Sequence, residues 1–193
     1  MGPAEQLAKE LANYQCGSEK EAFDKSEMIE SLNAGIYNSR DNPEHFTASA
    51  FVVAENHILL MKHLKIDKWV QPGGHIEDGE YPLQAAIREC IEETGITPAP
   101  VTSEPVHIDI HTVSENHHHL DIRYLMTATK SRPNPPPEES QDVAWVHFDD
   151  VRHLSDSTFD EALVRLLARA ETGDRWDFKK AVRPNWSDAR RPS

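Results

Sequence analysis

Residues 74–96 read Gly-His-Ile-Glu-Asp-Gly-Glu-Tyr-Pro-Leu-Gln-Ala-Ala-Ile-Arg-Glu-Cys-Ile-Glu-Glu-Thr-Gly-Ile, and their spacing decides how the rest of the chain is read. From Pro82 onward the apolar residues Leu83, Ala86, Ile87, Cys90 and Ile91 recur at helical spacing and mark an expected buried stripe. Pro82 suits the first helical turn, where its missing N–H is no loss, and Gly95 stands where a left-handed cap ends a helix. Glu89, Glu92 and Glu93 then lie at i, i+3 and i+4 and share one face. Like charges this close repel, so a cation belongs among them. Oxygen ligands on a rigid helix suit Mg²⁺ or a similar divalent ion better than a thiolate-seeking metal. Gly73 and Gly74 permit a tight turn just before, leaving backbone carbonyls bare.

An acidic helix face is ordinarily solvated surface, and Glu-x-x-Glu-Glu alone would mean no more than that. The longer string Gly74-x5-Glu80-x7-Arg88-Glu89-x2-Glu92-Glu93-x-Gly95 is different. At ordinary residue frequencies it arises by chance on the order of once in a million chains of this size. The string resembles the Nudix box of the Nudix (MutT-like) hydrolases at every fixed position, with Cys90 where an aliphatic residue is usual. The resemblance is specific over residues 69–96 and looser over 45–150. It implies that Glu89, Glu92 and Glu93 ligate Mg²⁺, or Mn²⁺ in its place, with the Gly73 carbonyl as a further ligand. It also implies that Arg88 braces the loop through Glu80, so that Gly74, Glu80, Arg88 and Gly95 are structural. The implied reaction is attack of water on phosphorus of a diphosphate bridge. The general base would be Glu89 or a carboxylate from a distant loop. Glu104, Glu115, Glu138 and Glu139 are the distant candidates, and Glu139 is preferred because Glu-Ser-x-Asp-Val-x-Trp is similar to the segment that carries such a residue in some relatives.

At 193 residues and 38% hydrophobic content the chain can bury one good core, so it reads as one domain with extensions. The expected division is an N-terminal helical extension (1–42), a Nudix hydrolase domain (43–171) and a basic, aromatic C-terminal arm (172–193). A net charge of −13 argues against nucleic acid polymers as partners, because phosphate backbones are held by Lys and Arg. The arm runs against that balance, with six basic and three acidic residues beside Trp176, Phe178 and Trp186. It is expected to dock on its own domain or on a partner subunit, which leaves a homodimer open. There is no apolar run long enough for a membrane and no basic, signal-like N-terminus, so a cytoplasmic protein with reduced Cys16 and Cys90 is expected.

Pro3 to Gln15 and Glu19 to Leu32 read as helices, followed by breakers from Asn38 to Pro43. Strands are expected over His45–Ala54, His57–His63, Val106–Val113, His119–Thr129 and Asp142–Phe148, with a tight turn at Glu55-Asn56 and a last helix over Phe159–Ala170. The mixed order fits an α/β fold, an α/β/α sandwich around a mixed central sheet, and the resemblance makes it a Nudix-type one. If the strands near 107 and 121 pair as a hairpin turning around Glu115, then His107, Asp109, His111, His119, Asp121 and Arg123 project from one face, with Val106, Ile108, Ile110, Leu120, Ile122 and Tyr124 on the other. A wet sheet edge would explain that pattern. So would a cavity wall, with His119, Asp121 and Arg123 touching substrate or two His and two Asp holding a second metal.

The box leaves the substrate open within one class: a nucleoside triphosphate, or a nucleoside diphosphate linked to another moiety. The proline that marks ADP-ribose enzymes of the family and the tyrosine of its dinucleoside-polyphosphate enzymes are replaced by His111, Thr112 and Val113. A nucleotide sensor that lost its chemistry would show a damaged box. A diphosphate isomerase on the same fold would use a cysteine, whereas Cys90 is expected to face the core.

Overall fold

The computed structural model describes residues 1–63, 67–135 and 142–151. The expected helix over 159–170, the arm 172–193, and Glu138 and Glu139 lie outside the described residues. The chain forms α1 (Pro3–Asn13), α2 (Glu19–Asn33), β1 (Glu44–Ala54), β2 (His57–Lys62), β3 (Trp69–Val70), β4 (Gly73–His75), α3 (Pro82–Thr94), β5 (Ala99–Pro100), β6 (His107–Ser114), β7 (His117–Thr127), β8 (Val143–His147) and the single turn α4 (Phe148–Val151).

One mixed sheet holds all eight strands of the described residues. Its axis is the parallel pair of β1 and β7, in register from Glu44 opposite His118 to Val53 opposite Thr127. A strand paired in parallel at the centre of a sheet is covered on both faces, and every residue of β1 from His45 to Ala54 is buried. Along its other edge β1 pairs first with β4, Thr47–Ser49 against Gly73–His75, and then with β2. The box loop is thereby fixed to the central strand through backbone hydrogen bonds. β1 and β2 are joined by Glu55 and Asn56, both at positive φ (48° and 65°), the left-handed pair that a two-residue hairpin needs.

Phe46, Ala48, Ala50 and Val52 face one side of the sheet and pack with Leu120, Ile122 and Tyr124 against Ala85, Ala86 and Cys90 of α3. Leu7 and Leu11 of α1 and Met28 of α2 enter this same core, so the N-terminal extension is built into the domain. Phe51, Val53 and Leu125 face the other side and form a second cluster with Ile58, Leu60, Phe148 and Val151. α2 lies along the free edge of β6. Asp24 accepts the outward N–H of Ile110 at 3.1 Å and Lys20 donates to the Ile110 carbonyl at 3.4 Å, which closes an edge that could otherwise pair with another chain.

The expected stripe on α3 is rotated in the structure. Pro82, Ala85, Ala86, Cys90 and Thr94 are buried, whereas Ile91 is 40% exposed. Small residues take the inner face, where Ala85, Ala86 and Cys90 share one cluster with Ala48 and Ala50 of β1, and the bulkier Leu83 and Ile87 are only partly buried against it.

Candidate active site

The site starts at the ends of α3. Gln84 accepts a hydrogen bond from the Tyr81 N–H at 3.3 Å, Pro82 opens the first turn, and Gly95 closes the last with φ 70° and its N–H on the Ile91 carbonyl at 2.9 Å. Gly95 is required twice over, since a Cβ there would also lie 2.7 Å from the Asn134 carbonyl oxygen. At the other end of the box a Cβ on Gly74 would lie 2.5 Å from the carboxylate carbon of Glu89. The glycine is what lets α3 bring that carboxylate against the β4 backbone.

Arg88 joins loop and helix. Its Nε and Nη2 donate to the two oxygens of Glu80 at 3.0 and 2.9 Å, and Nη2 also reaches the His75 carbonyl at 2.8 Å. Nη1 donates to Glu89 at 2.8 Å and to Glu92 at 3.0 Å. Glu93 accepts the Gly73 N–H at 2.8 Å. Burial alone would raise the Glu80 carboxyl, but the hydrogen bonds from Arg88 hold it below its ordinary value. Glu89 moves the other way. Its burial pushes the carboxyl up, Arg88 pulls it down, and the charges of Glu92 and Glu80 add to the rise. One guanidinium thus serves three carboxylates, and the excess negative charge of this all-oxygen set fits a hard divalent cation. Tyr37 and Asn38 brace the same loop, Tyr37 Oη donating to the Glu80 carbonyl at 2.8 Å and Asn38 to Asp78 at 2.9 Å.

β6 and β7 pair with His107 opposite Arg123, Asp109 opposite Asp121 and His111 opposite His119, so the six polar residues do share one face. Most of that face is sealed. Asp121 accepts from Arg123 Nε and Ser49 Oγ at 2.8 Å each and from Thr47 Oγ1 at 3.2 Å, and Arg123 Nη2 donates to Asp109 at 3.0 Å. Lys20 of α2 reaches Asp109 at 2.7 Å, and Glu21 lies 3.6 Å from His107. Burial would raise the Asp109 carboxyl, yet His111, Arg123 and Lys20 together hold it far below the usual carboxylate range. Asp121 and Arg123 therefore meet protein partners, and from the β6 edge Lys20 and Glu21 of α2 reach round to Asp109 and His107 on that face.

His119 differs from them. It stands at the open end of the face in a cluster with His45, His75, His111 and His117, with ring centres 4.9–5.5 Å apart. Burial pushes His119 down to about 3 and His75 down to about 4. Sequence reasoning missed His45, Thr47 and Ser49. The signal was there, since they alternate with Phe46, Ala48 and Ala50 on one strand and so share a face.

A model of the NUDIX domain matches residues 43–168. A probable DHNTP pyrophosphohydrolase of Lactococcus lactis is 33% identical over 109 residues, covering 51% of this chain and 65% of that protein. Phosphatase NudJ of Escherichia coli K12 is 28% identical over 149 residues, covering 74% of this chain and 93% of the relative. Among solved structures, a NUDIX-family hydrolase from Clostridium perfringens is similar with a TM-score of 0.52 at 32% identity, covering 56% of this chain and 84% of that one. The chain spans less than two thirds of the Lactococcus protein's length and smaller shares of two further curated relatives.

Proposed function

The chain belongs to the NUDIX family, and from that premise we infer that it is a metal-dependent hydrolase of a phosphoanhydride in a nucleoside triphosphate or in a nucleoside diphosphate linked to another moiety. The observation that carries the reading is the undamaged box, with Arg88 drawing Glu80, Glu89 and Glu92 to one place. The two relatives described above support the reaction class, one named a pyrophosphohydrolase and the other a phosphatase.

Glu89, Glu92, Glu93 and the Gly73 carbonyl would hold the ion, and their hard oxygens favour Mg²⁺. When bound, it supplies Lewis acidity at the bridging phosphates and an acidified water. Everything else falls to the chain. Arg88 and Glu80 fix the loop against α3, with Arg88 also holding the His75 carbonyl of β4. Arg88 also has to yield Glu89 and Glu92 to the ion while keeping its paired contact with Glu80. Glu89, with its carboxyl raised by burial, is the box carboxylate best suited to take a proton from water, and Glu139 is the candidate from a distant loop. On this reading Asp121 and Arg123 are positioning residues that set β7, and so His119, beside the box loop.

An isomerase reading is disfavoured, because Cys90 is fully buried and its thiol is pushed up to about 11. Assay of Mg²⁺-dependent phosphate or monophosphate release over a panel of nucleotides, with Glu92→Gln as control, tests the proposal. Turnover that Glu92→Gln abolishes is expected. Saturable binding of panel members without turnover would overturn it in favour of a sensor.

A further inference from the structure

Among the described residues, His45, His117 and His119 are the one group of three metal-binding side chains whose ligand atoms all lie within 4.8 Å of one another. His45 comes from β1, and His117 and His119 come from the start of β7, two residues apart and therefore on one face. The parallel register sets His45 opposite His119. The Nε2 atoms of all three are buried and have no hydrogen-bond partner among the described residues. Three neighbouring imidazoles that each leave a buried ring nitrogen unbonded are an unusual arrangement in a protein interior.

We propose that His45, His117 and His119 form a transition-metal site of the Zn²⁺ class, separate from the carboxylates of the box. The donor chemistry selects the ion, since neutral imidazole suits Zn²⁺, Co²⁺ or Ni²⁺ and is a poor match for Mg²⁺. Zn–N bonds of about 2.0–2.1 Å require ligand nitrogens about 3.4 Å apart, so side-chain torsions have to bring each atom in by about 1 Å. One ring is already set for it. The Asn42 carbonyl lies 3.4 Å from Nδ1 of His45, so a proton on Nδ1 is satisfied there and the lone pair on Nε2 is left for a metal. The ring centre of His75 lies 5.0 Å from His45 and 5.3 Å from His119, which makes it the imidazole nearest to two of the three and able to supply a fourth ligand. The carboxylates one row along, Asp109 and Asp121, are taken by Arg123, so the ligands are imidazoles alone and not the two His and two Asp that the sequence leaves as one alternative. Bound there, the ion joins β1 to β7 beside the turn that begins at Glu115.

The test uses the full chain, stripped with a chelator and then titrated with Zn²⁺ in excess Mg²⁺ by calorimetry, with metal content measured after dialysis. One Zn²⁺ per chain is expected, unaffected by Mg²⁺, and Co²⁺ should give the intense visible bands of a low-coordinate nitrogen site. His45→Ala and His119→Gln should each weaken Zn²⁺ at least tenfold. His117→Ala, next to the turn, serves as the variant least able to harm folding, and thermal melts verify each variant. Glu92→Gln should leave Zn²⁺ binding unchanged, which separates this site from the proposed hydrolytic centre. Absence of stoichiometric Zn²⁺ in the wild type, or retention of full affinity in folded His117→Ala and His119→Gln, would overturn the assignment. Loss of Zn²⁺ in Glu92→Gln would return the metal to the box.

Discussion

Replacing Arg123 with Met distinguishes a structural wall from a substrate-binding one. Arg123 is 5% exposed and lies 2.8 Å from Asp121 and 3.0 Å from Asp109, which are 3% and 2% exposed. Removing one partner of a buried ion pair ordinarily costs about 3–5 kcal/mol, because the remaining charge is left without compensation. Lys20 stays 2.7 Å from Asp109, and Thr47 and Ser49 still donate to Asp121, so the lower end of the range applies. About 3 kcal/mol corresponds to a fall in Tm of about 6–12 °C for a domain of this size. The pH dependence is more diagnostic than the size. In the wild type both carboxyls are held below their unfolded values. Their contribution is therefore complete above about pH 4 and is lost only as pH falls through the depressed folded values. In Arg123→Met burial becomes the main influence on Asp121 and raises it above its unfolded value. The penalty is then full at pH 7 and relieved as pH falls through that raised value. Urea melts of both proteins between about pH 7 and pH 4 should show the gap narrowing, and Asp121→Asn placed on top of Arg123→Met should recover part of the loss at pH 7. A loss under about 1 kcal/mol at pH 7, or a gap independent of pH, would refute the account of a buried charge network. Unchanged stability with a large fall in kcat/KM would give Arg123 back to the substrate.

Glu92 is 54% exposed at its side chain, so Glu92→Gln should melt within about 0.5 kcal/mol of wild type while kcat falls at least a hundredfold, as steady-state assays with saturating Mg²⁺ would show. Gly95→Ala meets both a left-handed backbone and the Asn134 carbonyl, and should cost at least about 1–2 kcal/mol in urea denaturation. His75 and His119 are held by burial below the unfolded histidine value of about 6.5, so between that pH and about 4 the unfolded chain binds more protons. Chelator-stripped protein should therefore lose stability as pH falls from about 7 to 5 in thermal melts, and His75→Gln with His119→Gln should flatten the slope.

The helix carrying the box was legible because its limits are set locally, by Pro82 at one end and Gly95 at the other. The polar face of β6 and β7 was legible for the same reason, since a hairpin turning at Glu115 fixes the register without help from elsewhere. What covers that face was not. Glu19 to Leu32 reads correctly as a helix, but no local signal says that Lys20, Glu21 and Asp24 close the β6 edge and complete the Arg123 network. The burial of Ile91 was misjudged because helical period alone does not say which of two apolar flanks meets β1, and the small side chains of Ala85 and Ala86 decide it by letting the backbones approach.

The pairing of β1 with β7 was equally hidden, since parallel partners are chosen by the whole sheet, and it has the largest consequence for metal chemistry. Residues along a strand alternate between faces, and β4 applies that rule at its narrowest. Gly74 lies opposite Ala48 and meets Glu89 on the α3 side, while His75, one residue on, lies opposite Thr47 and meets His45 on the other side. A carboxylate set and an imidazole set thus stand back to back across one strand thickness, in contact with consecutive residues of the same loop. Hard and borderline ions would be sorted by face, with no need for either site to exclude the other's metal by size. The shared element is the β4 backbone, which the carboxylate set meets twice, through Arg88 on the His75 carbonyl at 2.8 Å and through Glu93 on the Gly73 N–H at 2.8 Å, so these two side chains are where a change at either set would be felt at the other.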